Sequence, residues 1–175
     1  MVDERGRLVN PLGRTPIELD DRVPLGYGDL QADASYVSPG LEYLTDEHAL
    51  PARVRGMLRL VAKSERIRHS VVQRRIGKIS PASTAQLHGG HIVAVSLGGY
   101  ASGPNLFPQD SNFNTSAYAR LERGWRSALA ERCTVEVDIA LTLDPDPLVP
   151  QFVVVTYWEN GEEQDYPLLN EPNAQ

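Results

Sequence analysis

The chain has 175 residues and a mass of 19.3 kDa, a length that suits one domain around a single core. With 41% hydrophobic and 23% charged residues it is neither a disordered chain nor a fibrous repeat. The lone cysteine, Cys133, excludes an internal disulfide framework, and the net charge of −6 argues, taken alone, against a polyanionic partner such as nucleic acid.

The first residues, Met1 to Asn10, are charged, with no apolar signal core. No run approaches the ~18 apolar residues of a membrane span, so a soluble protein without a visible export signal is expected. Residues 1–52 hold four basic and ten acidic side chains and turn-prone pieces such as Pro24-Leu25-Gly26 and Ser38-Pro39-Gly40. They read as an irregular acidic arm. From Arg53 to Arg132 thirteen basic residues face only four acidic ones, whereas Cys133 to Gln175 has nine acidic residues and no Lys or Arg. The overall acidity therefore belongs to the flanks, and the centre carries the electrostatic footprint of a phosphate binder.

Val54 to Val61 is ambiguous between helix and strand, and Ile67 to Ile79 continues with β-branched residues among arginines; strand is the preferred reading for both. His91 to Val95, bounded by Gly89-Gly90 and Gly98-Gly99, reads as a short strand, followed by a loop from Gly99 to Asn112. Tyr118, Leu121, Trp125, Ala128 and Leu129 recur at helical steps, which predicts a helix from about Thr115 to Arg132 with Asn112, Asn114 and Thr115 as candidate caps. Strict alternation over Thr134–Thr142 predicts a half-buried strand. Phe152–Trp158 and Glu162–Leu168 form a hairpin about Asn160-Gly161. The fold class is α+β, an antiparallel sheet with one principal helix.

The chemically capable residues concentrate in Gly89-Gly90-His91, Asn105 to Gln109, Asn112-Phe113-Asn114 and Glu122. A glycine pair admits close backbone approach by a large ligand. Histidine supplies a base that is mostly neutral near pH 7, and an amide oxygen is a hard ligand suited to Mg²⁺. Together these meet the needs of phosphodiester hydrolysis. His88 and His91 could alternatively pair on zinc, but no cysteine is nearby.

From about Arg59 to Leu168 the sequence resembles the DNA/RNA non-specific endonucleases of the ββα-metal, or His-Me finger, class. Gly89-Gly90-His91 matches the end of that family's Asp-Gly-Gly-His form. Asn105-Leu106-Phe107-Pro108-Gln109 resembles its Asn-Leu-x-Pro-Gln loop, and Asn112-Phe113-Asn114 with Ala117-Tyr118-Ala119-Arg120-Leu121-Glu122 its Asn-x-Asn segment and helix. The resemblance implies His91 as general base, Asn114 as ligand of Mg²⁺ (Mn²⁺ as the alternative), and Glu122 holding metal-bound water. Gly89, Gly90, Asn105, Gln109 and Asn112 are the supporting loop. The implied reaction is water attack on phosphorus that leaves a 5′-phosphate, on DNA and with RNA as a candidate second substrate. Two positions depart from the pattern: His88 replaces an aspartate, and Gly89 replaces an arginine found in many members. Arg74, Arg75 and Lys78 are the candidates to supply that missing cation.

The implied organisation is a nuclease domain over residues 53–170 between the acidic arm and a tail at 171–175. The Gly-Gly-His subset resembles toxin domains of secreted bacterial proteins, which adds an immunity protein as a candidate partner and specialised secretion as a candidate route. The competing readings are a catalytically weak nucleic-acid-binding module of the same fold, and an interaction domain whose basic centre docks on its own acidic flanks.

Overall fold

The computed structural model describes residues 14–79, 87–142 and 148–170. A seven-stranded sheet runs in the order β1 (Ile17–Glu18), β2 (Ser35–Ser38), β3 (Leu41–Thr45), β4 (Pro51–Met57), β7 (Val135–Thr142), β8 (Phe152–Glu159) and β9 (Glu162–Leu169). Every pairing is antiparallel except β1 with β2. A second sheet has two antiparallel strands, β5 (Leu87–His91) and β6 (Leu106–Asp110). Among the described residues three α-helices accompany them: α1 (Ser70–Ile76), α2 (Ser111–Thr115) and α3 (Ala117–Ala130). This is the expected α+β class, and β5, β6 and the helices after them form the ββα unit.

The core lies between the large sheet and that ββα unit. Val135, Val137 and Ile139 point inward from β7 while Glu136 faces solvent, the period-2 signature of a sheet with one buried face. Val153 and Val155 continue the inner layer. Against it pack Trp125, 1% exposed, and Tyr118, Phe113 and Phe107. Their rings interlock, Phe113 stacking on Tyr118 at 5.1 Å and Trp125 meeting Tyr157 edge-on at 5.7 Å. The hairpin about Asn160-Gly161 forms as predicted, with positive φ at both residues.

Several expectations are corrected. The arm assigned to residues 1–52 is not irregular over its described part: Leu41 and Tyr43 on β3 and Tyr36 on β2 are core residues. The turn-prone Ser38-Pro39-Gly40 is the turn that lets β2 and β3 pair. Residues 1–13 and the tail at 171–175 lie outside the described residues. The strand expected over Ile67–Ile79 is replaced by α1. Local β preference at Val71 and Val72 yields to packing, because the α1 backbone fits against β5 at Gly89. The strand expected to start at Val54 begins at Pro51 and ends at Met57. Beyond it the chain is bonded to the segment after β5, with Arg59 and Val61 amides donating to the Leu97 and Ser96 carbonyls.

His91 ends a strand instead of opening one, and β6 lies inside the loop expected over Gly99–Asn112. The principal helix breaks at Ser116. The principal helix, α3, has Ser116 at its N-cap with no side-chain cap, in place of Asn112, Asn114 or Thr115, and the short α2 before it is capped by Asp110, which accepts from the Asn112 amide at 2.8 Å.

Candidate active site around His91

His91 sits at the end of β5, opposite Leu106 of β6. Successive strand residues point to opposite faces, so Gly89 and His91 face α1 while His88 and Gly90 face the Gln109 side. The glycine pair is explained by the protein's own packing. A Cβ at residue 89 would lie 2.0 Å from the Gln73 carbonyl oxygen, and one at residue 90 would lie 2.0 Å from the Gln109 amide carbon. The pair therefore admits α1 and Gln109, where the sequence suggested a ligand. His88 is exposed, and its position on the opposite face from His91 removes the zinc-pair alternative. Among the described residues no three His, Cys, Asp or Glu side chains cluster.

Buried amides fix the strand and the segment after it. Gln109 Nε2 donates to the His91 carbonyl at 3.0 Å, and the Asn105 carbonyl accepts from the Ile92 amide at 2.8 Å. The Asn105 side chain accepts from the Val93 amide at 2.9 Å and donates to the carbonyls of Val93 (2.8 Å) and Tyr100 (2.6 Å). Tyr118 donates its hydroxyl to the Ile92 carbonyl, which ties α3 to the residue after His91. Asn105 and Gln109 are fully buried. They act on backbone, as support, and Asn112 is exposed at the start of α2.

The imidazole faces a cleft of about 300 Å³ lined by Arg66, Arg68, Gln73, His91, Ala94, Val95 and Ser96. His91 Nδ1 lies 3.5 Å from Gln73 Nε2, and Nε2 is buried without a hydrogen-bond partner among the described residues. Burial pushes the ring down to about 4. The Ala101 backbone opposes that shift and the Arg68 charge adds to it. The ring is therefore neutral at pH 7 with a lone pair available.

Glu122, half-buried on α3, is pushed up to about 7 by burial, against the opposing Arg126 charge and Ala94 backbone. Arg126 Nη2 stands 3.9 Å from its carboxylate. Asn114 is half-buried on α2, and its side-chain amide has no hydrogen-bond partner among the described residues. Glu122 reaches the backbone of Ala94, which lines the His91 cleft, whereas Asn114 is not among the lining residues. A divalent ion held by either side chain would need water and substrate oxygens for most of its shell, since each offers a hard oxygen and no closed cage is present among the described residues.

The cations at the cleft differ from those singled out in the sequence. Arg74, Arg75 and Lys78 are exposed and do not line it. Arg75 faces a neighbouring groove of about 740 Å³ that it shares with Arg68. Arg66 and Arg68 were missed because only the turn into α1 brings them beside His91. Their signal in the sequence was the basic run itself.

The family model described as DNA/RNA non-specific endonuclease matches residues 32–161. Among solved structures, the chain is similar to NucA from Streptococcus agalactiae with magnesium ion bound, at 16% identity and a TM-score of 0.62, covering 78% of this chain and 73% of that one. It is also similar to the same protein with no metal bound, at 17% identity and a TM-score of 0.54, covering 83% and 85%. These two likenesses show the fold. No curated protein matches the sequence.

Proposed function

The chain belongs to the DNA/RNA non-specific endonuclease family, and from that premise we propose that it is a metal-dependent nuclease that cuts DNA and RNA without reading base sequence. The observation that carries the reading is a neutral imidazole at the edge of a cleft lined by two arginines. His91 is the general base. It takes a proton from the attacking water at Nδ1, the nitrogen on the Gln73 side, since Nε2 is buried. Arg68, with Arg66 beside it, holds the phosphate and stabilises charge on its oxygens. In this proposal Arg68 takes the role for which Arg74, Arg75 and Lys78 were candidates, and those three add salt-sensitive, sequence-independent attraction.

Asn114 would hold a divalent metal, Mg²⁺ with Mn²⁺ as the alternative, through its amide oxygen, and Glu122 would hold a water of its shell. When bound, such an ion supplies Lewis-acid stabilisation of the phosphate and of the leaving oxygen. The likeness in fold to NucA, solved with magnesium ion bound, supports that choice.

Incubation of the purified protein with plasmid DNA and with RNA, in Mg²⁺ or in EDTA, tests the proposal. Cutting of both in Mg²⁺ and neither in EDTA is expected. DNA bound but left intact in Mg²⁺ and Mn²⁺ would favour a nucleic-acid-binding module instead. An antibacterial effector restrained by an immunity protein is the biological role proposed from the Gly-Gly-His form. Expression inside a bacterium should then arrest growth, and His91→Ala should abolish the arrest.

A further inference from the structure

We propose that Gln73 is a positioning residue that sets the tautomer and orientation of His91, keeping Nδ1 as the acceptor nitrogen at the cleft. The inference rests on His91 being the base and adds the residue that prepares it.

The orientation of the Gln73 amide follows from chemistry. Its nitrogen lies 3.2 Å from the Gly89 carbonyl oxygen, which only accepts, so the NH₂ end must face that oxygen. The same NH₂ is 3.5 Å from His91 Nδ1. A donor facing Nδ1 requires a lone pair there, which places the proton of the neutral ring on Nε2. Nε2 is buried and has no hydrogen-bond partner among the described residues, so no competing contact there opposes the tautomer that the Gln73 amide selects.

The contact is long enough for a water to replace the amide at Nδ1 once substrate enters, as catalytic hydrogen bonds in an empty site often are. The placement of Gln73 is itself fixed, because its backbone fills the space that a side chain at residue 89 would need. Glycine at residue 89 is thus what lets α1 deliver Gln73 beside the base. The other charged groups facing the ring are Arg66 and Arg68 from the chain before α1. Gln73 is the α1 residue lining the cleft. β6 places Leu106 and Phe107 opposite His91 and Gly90, and α3 presents Glu122 to Ala94.

When Nδ1 takes the proton from water, it becomes an N–H, and the amide N–H meets it when Gln73 returns to Nδ1 as product leaves. Gln73 therefore disfavours the imidazolium and promotes proton release. A carboxylate in its place would do the reverse.

The test is ¹⁵N NMR of histidine-labelled full-length protein in EDTA near pH 7.5, where four histidines are few enough to assign with a His91→Asn control. Wild type is expected to show His91 with unprotonated Nδ1 and protonated Nε2. The length-preserving Gln73→Met should show mixed tautomers. Gln73→Glu should protonate Nδ1 and move the acidic limb of kcat/KM upward by about one pH unit. A wild-type ring protonated on Nδ1, or a Gln73→Glu protein with the wild-type tautomer and pH profile, would overturn the proposal. The tautomer is read without turnover, so a protein that cuts no nucleic acid would defeat the nuclease reading and leave this result standing on its own.

Discussion

The backbone carbonyl oxygen of Gln73 lies 2.0 Å from the point that a Cβ on residue 89 would occupy. A methyl group there has to push α1 away from β5, and backbone cannot yield as a flexible side chain would. Overpacking of this kind costs about 1–3 kcal/mol. Gly89→Ala should therefore lower the melting temperature by several degrees and weaken cleavage through displacement of α1. Gly89→Arg, the residue that the family resemblance led one to expect at this position, should do worse on both counts. A Gly89→Arg protein more active than wild type would show that the glycine is a loss and not a fit.

Arg68 lines the His91 cleft and is exposed, with its charge felt at the imidazole. Arg68→Ala should reduce kcat/KM by about 10- to 100-fold through lost charge stabilisation in the transition state. Arg74→Ala and Lys78→Ala should each change it less than about threefold while flattening its salt dependence slightly. Steady-state cleavage of a fluorescent oligonucleotide by each single variant decides the matter. The opposite ranking would return the role to α1.

Asn114 has an amide with no partner among the described residues, so Asn114→Ala should leave the melting temperature nearly unchanged in EDTA. Its cleavage in Mg²⁺ should fall by at least about 100-fold. Retained activity would reduce Asn114 to a residue of the short helix.

Burial pushes His91 from 6.5 down to about 4. Between those values the unfolded chain binds a proton that the folded protein refuses, so folded stability falls as pH drops through that window. His91→Gln lacks this group. Thermal melts in EDTA at steps from about pH 7 to about pH 4 should show wild type losing stability faster than His91→Gln. Parallel curves would mean that the imidazole is solvated.

The parts of the fold legible in the sequence were those dictated by local pattern. Alternation over Val135 to Leu141, the Asn160-Gly161 turn and the apolar stripe from Tyr118 to Leu129 each formed as read. What escaped depended on contacts distant in the chain. Val71 and Val72 prefer strand locally, yet α1 is helical because Gly89 leaves room for its backbone. Asp110 caps α2 because β6 ends there, which a polar run of Asp110, Ser111, Asn112 and Asn114 does not reveal by composition. At the site, His91, Asn105 and Gln109 were recognisable by motif. That Asn105 and Gln109 are buried and bond the backbone beside His91 was visible only in the hydrogen bonds. Arg66, Arg68 and Gln73 belong to no motif, and only the turn into α1 places them at the cleft.

The central claim is that the His91 imidazole removes the proton from water during metal-dependent cleavage, and single-turnover cleavage of a labelled DNA strand by wild type and His91→Ala tests it most directly. With both proteins saturated in substrate and Mg²⁺ and shown by melting to be folded, the variant should lose at least about 1,000-fold in rate with DNA affinity retained. A folded His91→Ala protein that cuts within about tenfold of wild type would contradict the claim.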